Sequence, residues 1–411
     1  MTTHFLLHAS LRRPVPMLMG LLALHLRIDF AWGQNIVEPF AATLPANPAK
    51  LTNRDVGEFI FQAPVLGKTA ASLEAQRVAA KLEKHVTRFL ADAPFRPFQH
   101  TLGISGYEVY FDHPDEMFYA LALALPCVSE AAAGKTKAFL GVQLKEFPPY
   151  AVAGFDHRAG RPRESYSVPE NLRVNGQGKA RSAFGIYAFW AWCHFAHDPA
   201  AARSHWEAVR LRMKPLLEAD YPFDIYRKGS GQGEAEKLNG DLAGLIGLAR
   251  LARLNGDAAT EQQALSRTVA LTELRVNLDR VNPHILEKSD AATKKLHNSK
   301  LARYCGLVPE VGAALRALSE GRAAARLKEF REERNGWYLA FGDRMIGGEN
   351  YTNPLHFPRA LFAGAALVEE LPAASRLTFI DVPWCPGDFY FVEKCVWALW
   401  ASADRPWAKI P

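Results

Sequence analysis

Apolar residues recur at helical spacing along most of this chain, and glycine, proline and polar residues cluster in the intervals between. From Ser72 to Leu90, Val78, Leu82, Val86 and Phe89 fall on one stripe, and Glu74, Arg77, Lys81 and Lys84 take the other side. That period predicts an amphipathic surface helix. Pro114, Asp115 and Glu116 lead into an apolar run from Met117 to Leu125 that stops at Pro126. Proline suits a first helical position and acids a first turn, where the helix dipole favours them, so these two carboxylates read as helix-start groups. Ala183 to His197 is apolar nearly all round, with Phe184, Tyr187, Phe189, Trp190, Trp192 and Phe195, which predicts a helix buried on most sides. Ala201 to Leu217 is one-sided, its stripe being Trp206, Val209, Met213 and Leu216.

Leu238 to Leu254, whose apolar positions like those of 183–197 are too many for one face and predict an inner layer, forms a further pair with Ala258 to Val276, joined by Asn255-Gly-Asp257. Gly256 supplies a left-handed cap there and Asp257 opens the next helix, so a helical hairpin is expected. Helical patterns continue at Pro309 to Leu318, Ala323 to Glu333, Pro358 to Leu371 and Asp388 to Trp400, and Trp337 to Phe341 is the one convincing short strand. The reading is all-α, built hairpin by hairpin over residues 71–405. Repeats of about 34 or 40 residues are not visible, which favours a closed ring over an open solenoid.

Two stretches do not fit that rhythm. Residues 34–70 are rich in proline, asparagine and alanine with short apolar pieces, and predict an irregular arm laid over the core. Gly141 to Gly178 is dense in proline, glycine, arginine and aromatics, and predicts a long ordered lip beside a cleft.

The N-terminus carries Arg12-Arg13, an apolar run from Val15 to Leu24 and a small-x-small site at Ala31-Trp32-Gly33. This pattern predicts a signal peptide over residues 1–33 with cleavage before Gln34, a periplasmic or extracellular location, and no stable membrane span afterwards. The formal charge is +6, spread without a long basic block, which argues against a nucleic-acid footprint. At 49% hydrophobic and 22% charged the chain is ample for a large core. Its five cysteines include no C-x-x-C pair and read mainly as small buried hydrophobes. His194 and His197, three apart on an aromatic helix, read as packing groups, and no metal or cofactor motif is present. Gly229 to Glu234 has glycine but no lysine-serine ending and no preceding strand, so it reads as a flexible loop, not a phosphate cradle.

The polar chemistry concentrates at two helix mouths. Arg344 to Pro358 packs Glu349, Asn350, Tyr351, Asn353 and His356 between a glycine pair and two prolines. Gly106 to Met117 places Tyr107, Glu108, Asp112 and His113 just before a helix. Glycoside hydrolysis needs one protonated and one ionised carboxyl, for which Glu349 and Asp112 are the best pair, with Glu108, Asp381 and Asp388 as further acids. Uronide β-elimination needs a Tyr or His base and a group to neutralise the substrate carboxylate. Tyr351 and His356 supply the first, and Asn350 the second, with Asn239 and His297 from other helices as partners. The local alternative for each residue is a hydrogen-bonded loop or helix cap, which is the plain reading of Asp388 in Pro386-Gly-Asp.

Consecutive helical hairpins with aromatic and acidic loops at their mouths resemble the (α/α) toroid glycoside hydrolases and polysaccharide lyases. The resemblance is one of pattern over residues 70–405 and transfers no catalytic residue. It implies a cleft at one end of a helical ring and an exported enzyme that cleaves glycosidic bonds in a poly- or oligosaccharide. Glu349, Asp112, Tyr351 and His356 are then expected at the reaction centre. Tyr107, Glu108, His113, Asn350, Asn353, Asn239 and Asp388 are expected to contact sugar. The alternative is a non-catalytic periplasmic glycan-binding or scaffold protein on the same helices.

Overall fold

The computed structural model describes residues 51–67, 72–91, 114–146, 148–150, 183–218, 232–281, 308–318, 389–403 and 407–410. These residues form an all-α fold with one two-stranded ribbon. The order is α1 (Asn53–Ile60), β1 (Gln62–Pro64), α2 (Leu73–Ala91), α3 (Pro114–Ala124) and α4 (Glu130–Glu146). Then come α5 (Phe184–Phe195), α6 (Pro199–Ser204), α7 (Trp206–Glu218), α8 (Gln232–Leu254) and α9 (Ala258–Val281). Finally α10 (Pro309–Leu318), α11 (Phe389–Ser402) and β2 (Trp407–Lys409) complete the described elements.

The helices sort into two layers by how much of their circumference is apolar. Met117 to Leu125 of α3 and its continuation, Phe184 to Cys193 of α5 and Leu238 to Ala252 of α8 are buried without interruption. A helix apolar all round has no face to give to water, so it must be enclosed by others. α11 packs on α3, α3 on α5, α5 on α8, and α8 on α10, which makes a continuous inner arc. The one-sided helices lie outside it: α2 and α4 against α11 and α3, α7 against α8, and α9 against α8 and α10. On α2 the stripe Val78, Leu82, Val86 and Phe89 is buried as its spacing demands, and on α7 Val209, Met213 and Leu216 are.

α5 and α8 run parallel and nearly touch. A Cβ on Gly244 would lie 2.3 Å from the Ala183 Cβ, and one on Gly247 would lie 2.7 Å from the Tyr187 Cα. One turn further along, the Arg250 guanidinium stacks over the Trp190 ring at 4.0 Å. Positions rise together on the two helices, so the outer pair α6 and α7 must carry the chain back between them.

The hairpin connectors share one chemistry. After α8 the chain closes with Asp257 N–H donating to the Ala252 carbonyl (2.9 Å) and Gly256 N–H to that of Arg253 (3.0 Å). Gly256 takes the left-handed conformation at φ 70°. Asp257 then accepts from the Thr260 amide (3.0 Å) and hydroxyl (2.8 Å) at the start of α9. After α5 the same paired closure uses Asp198 to Cys193 and His197 to His194, and Asp198 caps α6 through the Ala201 amide (2.9 Å). There the left-handed position is His197, at φ 57°. Glycine is the usual occupant because a Cβ crowds the carbonyl.

Several expectations are corrected. Part of the stretch expected to be irregular, residues 51–67, holds α1 and β1; Thr52 and Asp55 form a reciprocal capping box and Val56 and Ile60 are buried. Gly141 to Glu146, expected to open a long lip, is helical, because Leu140 and Leu144, four apart and both buried, carry α4 on to Glu146, and the rest of that stretch apart from residues 148–150 lies outside the described residues. Gln232 to Glu234, expected in a flexible loop, belong to α8, which good helix formers from Glu234 to Lys237 extend upstream, while 229–231 lie outside the described residues. The stripe from Ala201 to Leu217 is two helices that meet at His205. His197 is exposed, whereas His194 stacks on Trp190 with centroids 5.1 Å apart. Ala323 to Glu333, Trp337 to Phe341 and Pro358 to Leu371 lie outside the described residues.

β1 pairs antiparallel with β2, Gln62 opposite Lys409 and Pro64 opposite Trp407, and Ile410 N–H donates to the Phe61 carbonyl at 2.8 Å. Residues more than three hundred positions apart are thereby joined, and the two ends of the described chain meet.

Candidate functional site

Helix α8 carries a large buried charge, Arg250, near its C-terminal end. Arg250 is fully buried; its Nε donates to the Ile60 carbonyl (2.7 Å) and its Nη2 to the Gln62 carbonyl and to Glu310 Oε1 (both 2.6 Å). The Tyr187 hydroxyl, 2.9 Å from both Glu310 oxygens, donates to that carboxylate. Burial, then the Glu310 charge, pushes the Tyr187 phenol well above its usual range, so it stays a donor. Removing a guanidinium and a carboxylate from water is costly, and here the hydrogen bonds and the ring face of Trp190 offset part of that cost while Arg250 Nη1 makes no hydrogen bond. Among the described residues the cluster ties α1, α5, α8 and α10 together, and none of these three side chains lines either of the cavities described below.

Asn239, one of the expected sugar contacts, lies in the first turns of α8 and is 3% exposed. Its Oδ1 accepts from Arg275 Nε on α9 at 2.9 Å. It points at the outer helix and serves the α8–α9 pair. Glu116, in the first turn of α3, is also buried.

A second polar couple lies where residues 148–150 cross α5. Tyr150 Oη and His205 Nδ1 are 2.5 Å apart and both rings pack on Phe189. Burial lowers the His205 pKa and raises that of Tyr150 to about 12, which favours a neutral imidazole accepting from a neutral phenol.

Two cavities are bounded by described residues alone. One, of about 170 Å³, is apolar and lies between α1 and the α8, α9 and α10 faces. The other is an open polar groove of about 670 Å³ along Asn53, Glu58, Gln62, Gln262 and Lys409. Its aromatic floor, Phe61, is buried, with the Arg253 guanidinium over one ring face at 3.2 Å. Among the described residues no group of three or more His, Cys, Asp or Glu side chains could hold a metal. Cys127, Cys193 and Cys395 are buried, and burial pushes the Cys127 thiol up to about 12, which disfavours its thiolate.

Of the residues expected at the reaction centre, Glu349, Asp112, Tyr351 and His356 lie outside the described residues, as do Tyr107, Glu108, His113, Asn350, Asn353 and Asp388. Two of these groups nevertheless have fixed neighbours in sequence. Asp112 and His113 immediately precede α3, Asp388 immediately precedes α11, and α3 and α11 pack against one another in the inner layer. The sequence reasoning passed over Arg250, Glu310 and Tyr187. The available signal was arginine inside the apolar run Leu248-Ala-Arg-Leu-Ala-Arg-Leu254, a charge that must find a buried partner.

Compared with known protein families, characterised proteins and solved structures, the chain matches none of them. The class the fold defines is therefore the coarse one, an all-α protein of layered helical hairpins. Among the described residues no helix is long and apolar enough to cross a membrane.

Proposed function

We propose that this chain is an exported carbohydrate-active enzyme of the (α/α) toroid kind, cleaving glycosidic bonds in a poly- or oligosaccharide. The observation that carries the reading is the inner arc of enclosed helices, α11, α3, α5, α8 and α10, with one-sided helices outside and with α5 parallel to α8. Parallel inner helices gather their N-terminal mouths at one end of the arc, and clefts form where such mouths and their loops converge. The stretches of sequence leading into α3 and α11 hold Asp112, His113 and Asp388, and on this reading they supply acids and a histidine to such a cleft. The Arg344 to Pro358 loop, with Glu349, Tyr351 and His356, completes the proposed site. In hydrolysis Glu349 and Asp112 divide the acid and base roles; in β-elimination Tyr351 or His356 takes the proton and Asn350 steadies the substrate carboxylate.

The test is a panel of neutral and acidic polysaccharides, read by reducing-end release and by absorbance of unsaturated uronide product. Turnover is expected on at least one, and Glu349→Gln should lower it by about a hundredfold or more with the melting temperature nearly unchanged. Unsaturated product would assign the lyase chemistry and its absence with reducing ends released the hydrolase. Retained glycan binding with no turnover on the panel would overturn the enzyme reading in favour of a binding protein.

A further inference from the structure

The apolar cavity beneath α1 has a character opposite to a sugar cleft. Val56 and Phe59 of α1, Leu242 and Ile246 of α8, and Val311 and Leu318 of α10 bound its space of about 170 Å³. Asp55, Thr268, Thr272 and Arg275 are the polar residues at its wall, and the Asp55 carboxylate accepts from the Thr52 amide at 2.9 Å and hydroxyl at 2.7 Å. The Thr268 hydroxyl donates to the Ala264 carbonyl at 2.7 Å, and Arg275 Nε donates to Asn239 Oδ1 at 2.9 Å. A sugar placed there would leave its hydroxyls without partners, whereas an apolar group would only gain contacts.

α1 is held over this space by polar latches at its N-terminal end. The Leu51 amide donates to Glu273 Oε1 at 2.8 Å, and Asn53 Nδ2 to Ser266 Oγ at 2.9 Å. At the other end the Ile60 carbonyl is held by Arg250. The cover is thus pinned at both ends by hydrogen bonds, while its middle rests on a void. Interiors are close-packed, and a void of this size forgoes contacts on every wall. One wall position, Ala314, could fill it with any larger apolar residue and does not.

We propose that this cavity is a binding site for a small, uncharged, apolar molecule or substituent, between a benzene ring and a short alkyl chain in size. An engineered apolar cavity of about 150 Å³ binds benzene, so the volume is sufficient. The inference stands apart from the glycan reading, since it concerns a different ligand chemistry.

Calorimetric titration and thermal unfolding of the full chain with toluene and with 1-hexanol test it, with myo-inositol as a polar probe of similar bulk. Saturable binding of an apolar probe is expected, raising the melting temperature by on the order of 2 °C at tenfold excess over its Kd. No effect of inositol is expected. Ala314→Phe should weaken apolar binding at least tenfold, and Ala314→Leu provides a milder filling variant should the phenylalanine prevent folding. Absence of saturable binding to the folded wild type would overturn the proposal. So would equal affinity in a folded filling variant, or inositol binding as well as toluene.

Discussion

His197 sits where the paired connector after α8 has Gly256, and it holds a left-handed backbone at φ 57° while its side chain is exposed. His197→Gly should therefore raise stability, by about 0.5–1 kcal/mol, because the relief of strain exceeds the added freedom of the unfolded chain. Urea unfolding measures it, and a loss would mean that the imidazole makes a compensating contact. His194, three residues earlier, behaves differently. Burial first, then the Arg250 and His197 charges, lower its pKa to about 4 from an ordinary 6.5. The folded state resists a proton that the unfolded state accepts, so stability is full above pH 6.5 and falls as pH drops from there toward about 4. Stability measured across that window should decline less steeply in His194→Leu than in the wild type. The absolute stability of the variant is immaterial, because only the slope reports the titration.

At the scale of elements, α5 and α8 approach closely through glycine. Gly247 meets the Tyr187 backbone, which cannot retreat like the end of a flexible side chain. Gly247→Val should cost at least 1–3 kcal/mol and push the helices apart. Gly134 of α4 has open space around it, and Gly134→Ala should instead leave stability unchanged or raise it by about 1 kcal/mol through helix propensity. Thermal unfolding of the two variants side by side separates a packing glycine from a tolerated one. The helical period showed that α5 and α8 are both enclosed, but nothing in either segment alone names the other as its neighbour.

For the molecule as a whole, the decisive contact is the Arg250–Glu310 pair with Tyr187. It binds the first described helix and strand to α8 and α10 across 60 and 190 positions of sequence. Glu310→Gln or Arg250→Met should each destabilise by about 3–5 kcal/mol, since either leaves a buried charge alone. The double variant Arg250→Met, Glu310→Leu should recover part of that loss, although Tyr187 then lacks its acceptor. Chemical denaturation of the three variants checks it, and additive losses in the double variant would show that the two charges do not compensate one another.

The sequence by itself determined the helices that are periodic, the all-round burial of α5 and α8, the turn at Gly256 and Asp257, and the acids opening α3. Those features follow from local rules: side-chain spacing, cap chemistry and the positions where proline and glycine interrupt a helix. It also determined which stretches of sequence concentrate carboxylates, tyrosine and histidine, although those stretches lie outside the described residues. The tertiary structure alone decided that Asn239 turns to Arg275, that Arg250 finds Glu310, that β1 pairs with β2, and that a void remains beneath α1. Each of these depends on residues tens to hundreds of positions apart, and such partners are selected by packing geometry and by the cost of burying an unsatisfied charge, which no local period encodes.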